Sequence, residues 1–289
     1  LTMTTFFLFL ASSLAMAHSP KIDSRVIKSL QSDSANSAII VLKKQADLSV
    51  ISEGQTKEAR GRAVYDALRT VALETQTPIL EYLKSKGLEH RRFYIKNMIV
   101  VYGASLEQLD ELAKLPEIES INSNAKYRFL APVTKAQLTP TYSKGVEPGL
   151  ESVGASKVWQ LGFNGNNIVV AGQDTGIQWD HPALKPNYRG TVGTDADHDY
   201  NWHDSIHANA GSSGNVCGYD LKVPCDDHGH GTHTIGTVAG DDGKGNQVGM
   251  APKSKWIGCR NMDEGVGTPA TYIECFEFFL APYKHGANP

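Results

Sequence analysis

DDHGHGTHTIGTVAG, Asp226 to Gly240, decides how this chain is read. It sets His228, His230 and His233 within six residues, then continues with small ones: Thr234, Gly236, Thr237, Ala239 and Gly240. Such a cluster can ligate a metal, supply a general base, or simply line a polar turn. The H-x-H-x-x-H spacing suits zinc, and its glycines let ligands approach closely. A zinc site would also need distant ligands, and Thr232 rather than a carboxylate precedes the last histidine. The general-base reading asks for less. A helix so poor in bulk can run through the centre of a domain, with His230 in its first turn. There the positive end of the helix dipole favours a neutral imidazole able to accept a proton. A carboxylate bonded to the other ring nitrogen would fix its tautomer.

A carboxylate is available upstream. NIVVAGQDTGI, Asn167 to Ile177, reads as a buried strand that delivers Asp174 at its C-terminal end. In open α/β sheets, sites gather there. GASKVWQLG, Gly154 to Gly162, reads as a short helix stopped by glycine. KWIGCR, Lys255 to Arg260, is a second buried strand. Thr268 and Pro269 then open a helix carrying Tyr272, Ile273, Phe276, Phe279 and Leu280. Strands alternating with helices imply a parallel sheet.

The region from Ser37 to Asn122 has another pattern. SAIIVLK is a strand, and a long helix follows with Val64, Leu68, Val71, Thr75, Ile79 and Leu83 at three- and four-residue spacing. Pro78 is expected to kink or split that helix. HRRFYI and MIVVYG are strands, Ser105 and Gln108 form a capping box for a second helix, and IESIN closes as a strand. The order β-α-β-β-α-β is the split motif of ferredoxin-like folds. Residues 130–150 hold three prolines and no apolar period, and read as an exposed linker open to proteolysis.

The apolar run Phe6 to Ala17 is too short to span a bilayer and ends in Ala-Met-Ala, as a secretory signal peptide does. The expected mature start is near His18. In an oxidising compartment, Cys217 and Cys225 are the expected disulfide, while Cys259 and Cys275 could pair or remain thiols. A net charge of −3 and the lack of a Lys/Arg run argue against a nucleic-acid partner or a polybasic membrane contact. Asp226 and Asp227 read as solvated loop carboxylates.

VVAGQDTGIQWDHPAL (Val169 to Leu184) and HGHGTHTIGTVAG (His228 to Gly240) resemble the Asp and His motifs of the subtilisin-like serine proteases. QVGMAPKSKW (Gln247 to Trp256) is similar to the segment that follows them in that family. NYRG and FFLAPYKHGANP resemble its bacillopeptidase F-like branch. The resemblance implies an α/β fold: a partial subtilisin-like parallel-sheet catalytic domain preceded by an α+β ferredoxin-like propeptide domain. It implies a signal peptide at 1–17, a propeptide at 18–129, the linker at 130–150 and a peptidase domain at 151–289. Asp174 matches the catalytic Asp and His230 the catalytic base. His228 is expected at the surface and His233 as a hydrogen-bonded core residue. Gly265, Val266 and Gly267 resemble the edge that holds extended substrate by strand addition.

The implied partners are a protein or peptide substrate and the chain's own propeptide as inhibitor. The implied location is extracellular or periplasmic, without stable membrane association after signal removal. No cofactor is required. A structural calcium suits the family, but Ala183 stands where a family calcium ligand would, and the acidic run Asp195 to Asp199 lacks the Gly and closing Glu of an EF-hand.

One departure matters. After His230 the only serine is Ser254, which has no nucleophile motif around it and reads as a solvent-facing residue beside two lysines. The expectation is therefore the N-terminal part of a serine endopeptidase precursor, inactive as written. The alternatives are a non-catalytic inhibitor or chaperone module with a vestigial peptidase domain, and an H-x-H-x-x-H zinc hydrolase.

Overall fold

The computed structural model describes residues 18–31, 37–51, 56–129, 145–210 and 214–287. The expected signal peptide at 1–17 and linker residues 130–144 lie outside them.

The first body contains α1 (Ser24–Gln31), β1 (Ser37–Leu42), α2 (Lys57–Ser85), β2 (His90–Phe93), β3 (Met98–Tyr102), α3 (Leu106–Ala113) and β4 (Ile118–Ser123). Its four strands form an antiparallel sheet in the order β2-β3-β1-β4. β1 is apolar on both faces because both are covered. Ile40 and Leu42 pack with Ile79, Leu83, Leu109 and Leu112 from α2 and α3. Ile39 faces the other way and packs with Phe93, Val100 and Ala270, the last from the second body.

Two details of this body depart from the sequence reading. Helix α2 is not split at Pro78: it runs as one element of 29 residues with that proline inside it. Pro78 lies on the exposed side, and the buried face continues across it. Leu68 and Ala72 pack on Tyr94 before it, and Ile79 and Leu83 reach the sheet core after it. The loss of one N–H bond is outweighed by packing on both sides. The buried seam also runs through Ala72 and Gln76 rather than Val71 and Thr75. The Gln76 amide donates to Phe93 O at 2.7 Å and to Asn97 Oδ1 at 2.9 Å, which satisfies its buried N–H groups.

A short strand β5 (Tyr127–Arg128) follows. The second body comprises β6 (Gly145–Val146), α4 (Pro148–Ser152), α5 (Ala155–Gln160), β7 (Val169–Asp174), β8 (Thr191–Val192), β9 (Asp195–Ala196), β10 (Trp202–Asp204), α6 (His230–Ala239), β11 (Asn246–Gln247), β12 (Lys255–Arg260), β13 (Val266–Gly267) and α7 (Pro269–Leu280). It begins earlier than expected. Gly145–Val146 pairs in parallel with Asn246–Gln247, and α4 starts at Pro148. Residues 145–150 are thus structured, not linker, because β11 offers them a pairing edge.

β10, β12 and β7 form a parallel sheet in that order. Both faces of the central strand β12 are covered, while β7, at the edge, stays largely open along its length. On one side, Trp256 and Trp202 pack with Ile235 and Ala239 of α6. On the other, Ile257 and Cys259 pack with Cys275 and Phe278 of α7. Both cysteine pairs are bonded: Cys217 to Cys225, and Cys259 to Cys275. The second bond ties β12 to α7. No described helix is long and apolar enough to cross a membrane.

Candidate active site

The last pair in the register of β7 and β12 aligns Asp174 with Arg260. Asp174 therefore ends its strand at the C-terminal rim of the sheet, where it is 7 % exposed. α6 begins at His230 beside that rim, after Gly229 in the left-handed region at φ 86°. His230 Nδ1 lies 2.7 Å from Asp174 Oδ1. The backbone N–H of Thr175 donates to the same oxygen at 2.7 Å, and the Thr234 hydroxyl donates to Oδ2 at 3.2 Å. Nδ1 thus donates to the carboxylate, and Nε2 becomes the nitrogen with the lone pair. The His230 side chain keeps 31 % exposure.

Two glycines let these segments meet. A Cβ on Gly231 would lie 2.0 Å from Gly176 O, and one on Gly176 would lie 1.8 Å from Cys225 O. Gly176 also has φ 112°, a conformation that side chains other than hydrogen strain to adopt. The motifs around Asp174 and His230 touch backbone to backbone, which explains their shared richness in glycine.

Asp226 and Asp227 are not solvated loop carboxylates. Asp226 caps the helix that carries His230. Its Oδ2 accepts from Thr232 N at 2.8 Å and from the Thr232 hydroxyl. Its Oδ1 accepts from Gly229 N at 2.8 Å, His228 N at 3.1 Å and the Thr175 hydroxyl at 2.8 Å. Burial alone would raise its pKa, but these donors outweigh it and hold the carboxyl below its usual range. The Thr175 oxygen also accepts from Gly231 N, so the N–H groups of Gly231 and Thr232 in the first turn are met by neighbouring side chains.

The Asp227 side chain is fully buried against Arg260, at 2.5 Å from Nη2. Arg260 is itself fully buried and also faces Asp204 at 3.5 Å and Asp263 at 3.6 Å. Asp227 Oδ1 accepts from Glu264 N, so one guanidinium links the histidine loop to the turn before β13. Burial pushes the carboxyls of Asp204 and Asp227 up, against the pull of Arg260.

The other histidines separate. His228 is exposed. His233 is exposed as well, contrary to its reading as a core residue. Gly231, Ile235 and Ala239 form the buried face of α6, and position 233 lies across the helix from them. Among the described residues, no group of three His, Cys, Asp or Glu is placed to hold a metal ion. Ser254 also departs from its reading: it is fully buried, and its hydroxyl donates to Ala251 O at 2.8 Å within a tight turn.

Gly265, Val266 and Gly267 lie at an edge that is occupied. β13 pairs antiparallel with β5, Val266 opposite Arg128 and Gly267 opposite Tyr127. Phe129 N donates to Gly265 O at 2.7 Å. The next ring along, Phe129, rests on His230 with centroids 4.4 Å apart. The chain leaving the first body therefore lies as a strand along this edge and ends over the imidazole. Nothing in the sequence pattern marks Phe129, which lies outside every motif.

Comparison with known proteins gives a consistent picture. The model of the subtilase family of peptidases matches residues 165–280. Bacillopeptidase F of Bacillus subtilis (strain 168) is 35 % identical over 260 residues, 85 % of this chain and 17 % of that protein. Minor extracellular protease Vpr of the same organism is 28 % identical over 163 residues, 55 % of this chain and 18 % of that one. The chain thus spans about a sixth of the length of either. Among solved structures, a variant of the epidermin leader peptide processing serine protease EpiP from Staphylococcus aureus superposes with a TM-score of 0.51 at 14 % identity. That match covers 79 % of this chain and 44 % of the other, and it speaks to the fold alone.

Proposed function

We propose that the chain, whose residues 165–280 match the subtilase family model, carries the Asp and His of a secreted serine endopeptidase of subtilisin type. One observation carries the reading: the 2.7 Å contact of His230 Nδ1 with Asp174, made where a strand end meets a helix start. His230 Nε2 takes the proton of a nucleophilic hydroxyl and returns it to the leaving amine. Asp174 holds the ring in that tautomer and stabilises the imidazolium. Ser254 is not the nucleophile, since its hydroxyl is buried and engaged. Residues 231–289 contain no other serine, and residues 1–289 by themselves are proposed not to hydrolyse peptides.

Residues 18–129 are proposed to be the propeptide of this enzyme, ferredoxin-like in fold, and its intramolecular inhibitor. The strand order β2-β3-β1-β4 supports the fold reading. The pairing of β5 with β13 supports the inhibitory one. A segment laid on an exposed sheet edge occupies it as an extended substrate would, through main-chain hydrogen bonds. Gly265, Val266 and Gly267 are then the substrate-binding edge. Secretion is supported by the signal-like pattern of residues 1–17. No cofactor is assigned.

The test is peptide hydrolysis by a protein carrying this segment together with a nucleophilic serine. Asp174→Asn should lower kcat by about ten-thousandfold, as the wrong tautomer does in such triads. Full activity in that variant would remove the proposal.

A further inference from the structure

Two threonine hydroxyls cross between the segments that carry Asp174 and His230. Thr175 directly follows Asp174, and its oxygen accepts from Gly231 N at 3.0 Å. Thr232 lies on the first turn of α6, and its oxygen accepts from Gln178 N at 2.9 Å. Each segment thus holds a backbone N–H of the other. Both hydroxyls donate to one carboxylate, Thr175 to Asp226 Oδ1 at 2.8 Å and Thr232 to Asp226 Oδ2 at 2.5 Å. Backbone N–H groups reach both oxygens as well, those of His228 and Gly229 at Oδ1 and that of Thr232 at Oδ2. A carboxylate met by donors on both oxygens carries no proton and only accepts.

We propose that Asp226 is a positioning residue for the pair Asp174 and His230: it takes the hydroxyl protons of Thr175 and Thr232 and so turns both oxygens toward the N–H groups that clasp the two segments together. The inference rests on the reading of Asp174 and His230 as orienter and base, and it supplies the device that sets their contact. A hydroxyl has one proton. With that proton on Asp226, the Thr175 oxygen is left to accept from Gly231 and the Thr232 oxygen to accept from Gln178. An amide at position 226 would present an NH2 to one of the two threonines. That hydroxyl would then have to turn its proton toward a backbone N–H, donor against donor.

The clasp lies where it can act on the pair. Thr175 is fully buried, and its own N–H donates to Asp174 Oδ1 at 2.7 Å. Gly231 directly follows His230, and a Cβ there would lie 3.0 Å from Asp174 Cβ. Gly176 and Asp226 meet as an antiparallel bridge. Loosening the link from Thr175 to Gly231 therefore frees the start of α6 to shift against the end of β7, and the 2.7 Å contact of His230 Nδ1 with Asp174 lengthens. Nδ1 then loses its hold on the proton, and the neutral ring divides between its two tautomers. Only the tautomer with a bare Nε2 can take a proton from a nucleophile.

The experiment is nitrogen-15 NMR of the whole chain with labelled histidine, which reads the tautomer of His230, joined to hydrogen exchange at the Gly231 and Gln178 amides. The His230 signals are assigned by their loss in His230→Gln. In the wild type the neutral ring should carry its proton on Nδ1, and both amides should be protected. Gln178 is exposed, so its protection reports the Thr232 hydroxyl. Thr175→Val keeps the shape and removes the hydroxyl. Exchange at Gly231 should then rise about tenfold, the factor that one net hydrogen bond supplies, and the ring should divide between tautomers. Thr175→Ser should restore both wild-type readings. Asp226→Asn should move the tautomer as Thr175→Val does, and it carries the test if the buried valine prevents folding. A Thr175→Val or Asp226→Asn protein that melts lower but keeps the wild-type tautomer has lost stability alone, and overturns the proposal. Unprotected Gly231 and Gln178 amides in the wild type overturn it without any variant. Neither measurement needs peptidase activity. A clasp that behaves as stated in a protein that never cleaves peptides would stand, while the protease reading would fall.

Discussion

The ring of Phe129 lies against the imidazole of His230, centroids 4.4 Å apart and planes inclined by 53°. The residue that follows β5 thus shields the proposed base. Aromatic contacts of this kind are worth roughly 0.5–1.5 kcal/mol, a factor of about two to ten. Phe129→Ala should raise the rate at which diethyl pyrocarbonate modifies His230 by about that factor. An unchanged rate would mean that the contact does not cover the ring in solution.

Asp226 holds the start of α6 through five hydrogen bonds to Oδ1 and Oδ2. Asp226→Asn should cost about 1–3 kcal/mol in thermal unfolding at neutral pH. The sign with pH follows from its lowered pKa. The wild-type carboxylate contributes stability above its unfolded pKa, and that contribution is lost as the pH falls through the folded one. The gap between wild type and variant should therefore close in acid. A gap that stays constant with pH would contradict the capping account.

Arg260 faces three buried carboxylates, those of Asp204, Asp227 and Asp263. Arg260→Met leaves them without a cation and should cost about 3–5 kcal/mol in denaturant unfolding. Burial already pushes Asp204 and Asp227 up. Without the guanidinium they rise further, so the variant should lose stability as the pH increases above the unfolded carboxylate range. A variant as stable as wild type at neutral pH would refute the network.

The Cys259–Cys275 bond closes a separation of 16 residues between β12 and α7. Loops near that length gain about 3 kcal/mol from a crosslink. The double substitution Cys259→Ser with Cys275→Ser should lower stability by about that amount. Intact mass of the wild-type chain should show no alkylation at these positions until it is denatured and reduced. Alkylation of either residue in the unreduced, denatured chain would disprove the bond.

The pair Asp174 and His230 was legible because each lies in a motif whose residues have a mechanical reason. Glycines allow the backbone contact, a strand end delivers the carboxylate, and a helix start delivers the ring. The capping box at Ser105 and Gln108 was legible for a similar reason, since both partners lie within one turn. What escaped depends on partners remote in sequence. β10 holds Trp202, His203 and Asp204, too short and polar to announce itself, and becomes a strand because β12 lies beside it. Apolar spacing on α7 pointed to Phe276, which is 46 % exposed, and hid Glu274 and Glu277, which are buried by Arg91, His203, His207 and the Tyr94–Ile95 turn. Asp227 looked solvated because Arg260 lies 33 residues away along the chain.

The most direct measurement is self-processing of the precursor when residues 18–289 are joined to a nucleophilic serine in the same fold. Cleavage should fall within or just before residues 130–150, separating the first body from the second. The account predicts that His230→Ala slows this cleavage by about a millionfold, the loss typical of a triad base. His228→Ala, exposed and outside the pair, should process at nearly the wild-type rate. Wild-type and His230→Ala precursors cut at equal rates by the protein itself would contradict the account.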